Sequence, residues 1–115
     1  MRVLIIDDDI TYLNAVSIVA KNRNWLPMLC NNIKTAKQII HSEHPDLIIS
    51  DYLLTDKTVI DLLKWMKLHN IDIPVIVVSA SDDETILETV LKNGASNFYD
   101  KFEFNLSKIY AELEK

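Results

Sequence analysis

Glycine is almost absent from this chain: Gly94 is the only one in 115 residues. Neither GxGxxG nor GxxxxGK[ST] can be written with one glycine, so the loops that cradle nucleotide phosphates are excluded. Cysteine is also single, Cys30, which excludes an internal disulfide framework and a multi-cysteine zinc site. No apolar run reaches about 18 residues, and no basic, apolar and small-residue sequence of a secretory signal opens the chain. No membrane association is expected, and a cytoplasmic location is the default. Basic residues are the minority: 12 Lys and Arg stand against 17 Asp and Glu, for a net charge of −5. Neutralising phosphates needs a basic face, so nucleic-acid binding by this domain alone is not expected.

What is present reads as one ordinary globular domain spanning residues 1–115. Apolar residues make up 49% and charged residues 25%, and a domain of this size buries roughly 60–70% of its unfolded surface. Short apolar runs alternate with helical patterns throughout. Strands are predicted over Arg2–Ile6, Trp25–Cys30, Leu47–Ser50, Pro74–Val78 and Asn97–Asp100, with Pro27 pushing the second towards a sheet edge. The first, third and fourth are continuous Val/Ile/Leu runs, which means burial on both faces, as in a parallel sheet covered by helices. Helices are predicted over 10–22, 34–42, 58–69, 82–93 and 105–114 from apolar residues at i, i+3, i+4 and i+7 spacing. Their inward residues include Leu13, Val16 and Ala20 in the first, Ala36, Ile39 and Ile40 in the second, and Ile86, Val90 and Leu91 in the fourth. Ser81-Asp82-Asp83-Glu84 fits a capping box, and Gly94 fits the left-handed position that ends a helix. Five βα units imply right-handed crossovers and helices on both faces. An eight-fold barrel needs about twice this length, leaving a (βα)5 doubly wound open sheet.

Ligands of such sheets bind outside the carboxyl ends of the strands. The residues there are Asp7, Asp8 and Asp9 after the first strand, Asp51 after the third, Ser79 after the fourth and Lys101 after the fifth. Clustered carboxylates are hard oxygen donors suited to a partly hydrated Mg²⁺. A carboxylate beside such an ion can be a nucleophile that forms an acyl phosphate, while the metal and an ammonium offset the charge of the moving phosphoryl group. Each residue also has a plainer role. Asp9 reads as a helix N-cap, Asp82 and Asp83 as helix-start acids, and Ser79 and Lys101 as turn and surface residues. The histidines His41, His44 and His69 read as surface, and Cys30 as a small buried residue. Position favours the joint reading, because each polar group lies just beyond a different strand.

At these residues the chain resembles the receiver domain of two-component response regulators. The likeness rests on Leu4-Ile5-Ile6-Asp7-Asp8-Asp9, Leu47-Ile48-Ile49-Ser50-Asp51, Val77-Val78-Ser79-Ala80, Asn93-Gly94-Ala95-Ser96 and Phe98-Tyr99-Asp100-Lys101. It implies a flavodoxin-like fold with strand order 2-1-3-4-5. It implies Asp51 as phosphoacceptor, and Asp7, Asp8, Asp51 and the backbone carbonyl of Leu53 as Mg²⁺ ligands. Ser79 and Lys101 would contact the phosphoryl group, and Phe98 occupies the aromatic switch position. The implied donor is the phosphohistidine of a histidine kinase or histidine phosphotransfer protein. The implied output is a conformational shift read by an unidentified effector, with a homodimer through the face of fourth helix, fifth strand and fifth helix as one form of it. The domain would not be an enzyme beyond its own phosphorylation and dephosphorylation.

The sequence departs from the family pattern in the segment after the phosphoacceptor. Receivers usually carry Met-Pro there and a glycine further on; this chain has Leu54-Thr55 and Val59. The family's Lys-Pro is Lys101-Phe102, and a cis bond before Phe would cost about 3–4 kcal/mol, so a trans bond is expected. The alternative function is a non-phosphorylated pseudo-receiver acting as a protein-interaction module. A phosphatase with an aspartyl nucleophile is disfavoured, because Ile10 breaks its Asp-x-Asp-Thr/Val pattern and no cap insertion fits.

Overall fold

A computed structural model describes residues 1–80 and 83–103. In chain order the elements are β1 (Arg2–Ile6), α1 (Ile10–Asn22), β2 (Leu26–Cys30), α2 (Ile33–Glu43), β3 (Leu47–Asp51), α3 (Val59–Leu68), β4 (Val75–Ser79), α4 (Glu84–Lys92) and β5 (Asn97–Asp100). The five strands form one parallel sheet in the order β2-β1-β3-β4-β5. The strand carrying Pro27 is an edge, as expected of a residue that cannot donate to a ladder. The fifth helix expected over 105–114 lies outside the described residues. No helix among the described residues is long and apolar enough to cross a membrane.

Successive strand residues point to opposite faces, and the two faces bury different helices. Leu4, Ile6, Ile48, Val75 and Val77 join Ile33, Ala36 and Ile40 of α2, Val59, Leu62, Leu63 and Met66 of α3, and Val90 of α4. Val3, Ile5, Leu47, Ile49, Ile76 and Val78 face the other way, onto Leu13, Val16 and Ala20 of α1. The predicted inward residues hold with one exception: Leu91 is exposed and only Val90 of α4 is fully buried. Cys30 is buried, which pushes its thiol up to about 11.

Each helix-to-strand connection passes through one residue with positive φ: Asn24 (63°), His44 (48°), Asn70 (56°) and Gly94 (107°). After α4, the amide of Gly94 donates to the Leu91 carbonyl and that of Ala95 to the Val90 carbonyl, the paired bonds of a Schellman turn. Asn24 and Trp25 repeat the arrangement on Lys21 and Ala20, and Asn70 and Ile71 repeat it on Lys67 and Met66. Asparagine tolerates the left-handed region through its short polar side chain, so the chain ends two of these helices without glycine.

The start of α4 corrects the capping-box expectation. Its N-cap is Asp83, whose Oδ1 accepts from the Thr85 amide at 2.8 Å. A carboxylate directly before the first helical residue reaches that amide without a box; Ser81 and Asp82 lie outside the described residues. Asp9 caps α1 as expected, accepting from the amides of Thr11 and Tyr12.

Candidate phosphorylation and metal site

Parallel pairing brings the ends of β1, β3 and β4 side by side, so Asp7, Asp51 and Ser79 share one edge of the sheet. Asp7 is fully buried there, and its Oδ1 accepts from the Asp9 amide at 2.8 Å. Asp51 is half-buried, and its Oδ1 accepts from the Tyr52 amide at 2.8 Å. Asp8 is exposed beside them. One carboxylate oxygen from each of Asp7, Asp8 and Asp51 lies within 4.8 Å of the others.

Lys101 arrives from the far end of the chain. Its Nζ donates to Asp7 Oδ1 at 3.1 Å, lies 2.9 Å from Asp7 Oδ2, and is 3.5 Å from Asp51 Oδ2. The Oδ2 contact is an ion pair without hydrogen-bond alignment, and that oxygen has no hydrogen-bond partner among the described residues. The turn after β5 is fixed by the Lys101 amide, which donates to the Ser79 carbonyl. No described peptide bond is cis, so Lys101-Phe102 is trans as expected. The ammonium nevertheless reaches both carboxylates.

Two carboxylates facing a single lysine leave excess negative charge. Burial pushes the Asp51 carboxyl above its ordinary range, the charge of Asp7 pushes it further, and Lys101 with the Tyr52 amide opposes them. Burial works against the charge on Lys101, but its hydrogen bond to Asp7 and the charges of Asp51 and Asp7 outweigh it, holding the ammonium above its ordinary range. Such a pocket has room, electrostatically, for a cation. Its hard oxygen donors fit Mg²⁺, which prefers one or two carboxylates plus water to a full protein cage.

Sequence reasoning missed Tyr12. It sits in the first turn of α1, and its ring lies 4.6 Å from Lys101 Nζ in a cation–π contact. Its hydroxyl is buried without a hydrogen-bond partner among the described residues. Burial, then the charges of Asp7 and Asp51, push that hydroxyl well above the ordinary tyrosine range. The available signal was an aromatic residue one turn after an acidic triplet, on a helix entering at the carboxyl edge.

The other predicted residues fall as follows. Ser79 is buried at the end of β4. Phe98 is half-buried on β5, packed against the α2, α3 and α4 side of the core. Leu53 lies in the loop after β3 with its side chain exposed, paired to Thr58 in a single antiparallel bridge. Val59, where the family carries glycine, is fully buried as the first residue of α3. The three histidines are exposed, and all three border one groove between the ends of α2 and α3.

Known proteins bear on this arrangement directly. A sequence profile of the response regulator receiver domain family matches residues 3–114. The transcriptional regulatory protein KdpE of Staphylococcus aureus is 33% identical over 114 residues, covering 97% of this chain and 48% of that protein. The chain thus spans about half the length of this curated relative. The receiver domain of Francisella response regulator 1452 superposes with a TM-score of 0.88 at 25% identity, covering 98% of this chain and 93% of that one. The beryllofluoride-activated NtrC4 receiver domain, solved as a dimer, gives a TM-score of 0.87 at 20% identity, with 98% and 93% covered. With a profile match over nearly its whole length, the chain belongs to the response regulator receiver domain family, the signalling domains of two-component systems.

Proposed function

We propose that this receiver accepts a phosphoryl group on Asp51 from the phosphohistidine of a histidine kinase or histidine phosphotransfer protein. The observation that carries the reading is the convergence of Asp7, Asp51 and Lys101, from three separate strand ends, within ion-pair distance. In the transfer, an Asp51 carboxylate oxygen forms a bond to phosphorus while the bond from phosphorus to the imidazole nitrogen breaks. The imidazole leaves with the electron pair. Asp51 is suited to the attack because its other oxygen is engaged by the Tyr52 amide, which orients the carboxylate. Lys101 would supply a partly buried positive charge beside the incoming phosphoryl oxygens, where a dielectric below that of water makes it count for more.

Asp7, Asp8, Asp51 and the Leu53 carbonyl would hold Mg²⁺, which supplies charge neutralisation to the phosphoryl oxygens. Ser79, at the mouth of the site on β4, would bond a phosphoryl oxygen. Phe98 on the neighbouring strand would change its packing as Ser79 moves, passing the signal towards α4 and β5. That face would meet an effector or a second copy; the NtrC4 receiver is a dimer in its activated state.

The test is phosphotransfer from a phosphorylated histidine phosphotransfer domain in the presence of Mg²⁺, followed by intact mass. Wild type should gain one phosphoryl group and Asp51→Asn none. Equal labelling of the two, or no labelling of wild type by any donor or by acetyl phosphate, would overturn the reading in favour of a pseudo-receiver.

A further inference from the structure

The loop between β3 and α3 supplies the Leu53 carbonyl, yet residues 52–58 contain neither glycine nor proline to preset their backbone angles. Its shape has to come from contacts. Two are internal: the Val59 amide donates to the Tyr52 carbonyl at 2.8 Å and the Leu54 amide to the Lys57 carbonyl at 3.0 Å, which folds the segment into a small hairpin around the Leu53–Thr58 bridge. The third is the Leu54 side chain, buried in the core. Leu53 itself is 64% exposed, so packing of its own side chain does not fix its carbonyl.

The fourth contact comes from another part of the chain. Asp56, at the hairpin tip, reaches the N-terminus of α2: Oδ1 accepts from the Ile33 amide at 3.0 Å and Oδ2 from the Lys34 amide at 3.1 Å. A carboxylate on the first free amides of a helix also meets the positive end of its dipole. Although what burial it has works against its charge, these amides, with those of Asp56 and Lys57, hold the carboxyl below its ordinary range. The carboxylate does not duplicate the helix's own cap. Asn32 already caps α2 through the Thr35 amide at 2.7 Å. The two bonds thus take amides that Asn32 leaves open and tie the loop to the helix.

We propose that Asp56 is a positioning residue of the phosphorylation site: its clamp on the α2 N-terminus fixes the hairpin and thereby the Leu53 carbonyl that would bind the metal. The proposal deepens the phosphoacceptor reading and rests on it for the role of that carbonyl. Coupling of this kind is reciprocal. If the clamp favours metal binding, bound metal must protect the Ile33 and Lys34 amides.

The test uses the whole chain, with Mg²⁺ titrations and amide hydrogen exchange followed by NMR. Asp56→Ala should weaken Mg²⁺ binding by about tenfold, the lower range for groups that orient metal ligands, and Asp56→Asn, which keeps one acceptor, should fall between. In Asp56→Ala the Leu54 amide should exchange faster, while α2 stays helical through Asn32. In wild type, Mg²⁺ should slow exchange at Ile33 and Lys34. Asp46→Ala controls for a lost carboxylate–amide bond elsewhere, since Asp46 accepts from the Arg2 amide at 2.8 Å; it should leave Mg²⁺ affinity unchanged. Wild-type Mg²⁺ affinity in Asp56→Ala, or unaltered exchange at Leu54, overturns the clamp while leaving the phosphoacceptor reading intact. A wild-type chain that binds no Mg²⁺ overturns the metal role and the reading beneath it together.

Discussion

At the carboxyl edge of the sheet, Asp7, Asp51 and Lys101 keep side chains only 1%, 16% and 12% exposed. At the amino edge, four helix-to-strand turns close on their own backbone amides, and their left-handed residues are Asn24, His44, Asn70 and Gly94. The carboxyl edge holds more negative than positive charge in a place poor in water. The amino edge contributes closure of the fold and none of the candidate site residues. Substitutions at the first edge should therefore trade stability against metal and phosphoryl binding, whereas those at the second should change stability alone.

The sharpest way to break this contrast is Lys101→Met. It leaves Asp7 buried without its cation, and an uncompensated buried charge costs about 3–5 kcal/mol. Chemical denaturation at neutral pH should show a loss of that size. Asp7→Asn added to Lys101→Met should restore most of it, a coupling that a double-mutant cycle measures. In wild type, an ammonium held above its ordinary range contributes fully below that range and loses its contribution as pH rises through its folded value. Wild type should therefore lose more stability than the variant as pH rises into the alkaline range. Additive single and double losses would mean that the pair is not coupled.

Asp51→Asn should move stability the other way. An acid whose folded pKa is raised supports the fold most below the ordinary carboxylate range, and that support is lost as pH rises through the folded value. Charged Asp51 thus weighs against the fold at neutral pH. In EDTA the variant should melt higher than wild type, by about 0.5–2 kcal/mol, with the gap closing towards acidic pH. Millimolar Mg²⁺ should then raise the wild-type melting temperature and leave the variant where it was, because only ligand bound to the folded state adds stability. Wild type melting above the variant in EDTA would place the carboxylate repulsion below the opposing pull of Lys101.

If Asp51 takes the phosphoryl group as proposed, a kinetic effect should follow at Leu53, two residues beyond it and exposed. An apolar side chain there cannot orient a hydrolytic water, so the acyl phosphate should decay slowly. Leu53→Asn should speed decay by about tenfold, or about 1.4 kcal/mol of barrier. Acetyl-phosphate loading followed by a mass time course measures it, and a slower decay in the variant would sink the idea.

The carboxyl edge was largely legible in the sequence, because its logic is topological. Once Val, Ile and Leu runs alternate with helical patterns, the residues after each run must meet, which is how Lys101 and Asp7, 94 residues apart, could be paired. Pro27 marked an edge strand for an equally local reason. Less was legible where an exposed residue acts across space. Asp56 reads as a loop acid until α2 is set beside it 23 residues away, and Tyr12 reads as a helix residue until Lys101 is placed over its ring. The start of α4 was misplaced because Ser81 and Asp83 both suit an N-cap, and sequence alone does not rank them. The left-handed asparagines were not legible because asparagine tolerates that region without being specific to it.

Those turns also explain why one glycine remains. At Asn24, His44 and Asn70, φ is 63°, 48° and 56°, close to the ordinary left-handed minimum that asparagine can occupy. At Gly94 φ is 107°, well outside it. An added Cβ at Gly94 would meet nothing within 4 Å, so packing is not the constraint there; backbone conformation is. Gly94→Asn should therefore cost about 1–2 kcal/mol from backbone strain alone. Asn70→Gly should change stability by no more than about 0.5 kcal/mol, since relief of mild strain is offset by the greater unfolded-state freedom of glycine. Thermal melts of the two variants, with Mg²⁺ affinity measured alongside, test both halves of the contrast. Equal costs at the two positions would refute the conformational account of the lone glycine. A change in Mg²⁺ affinity in either variant would show that the amino edge is not confined to stability.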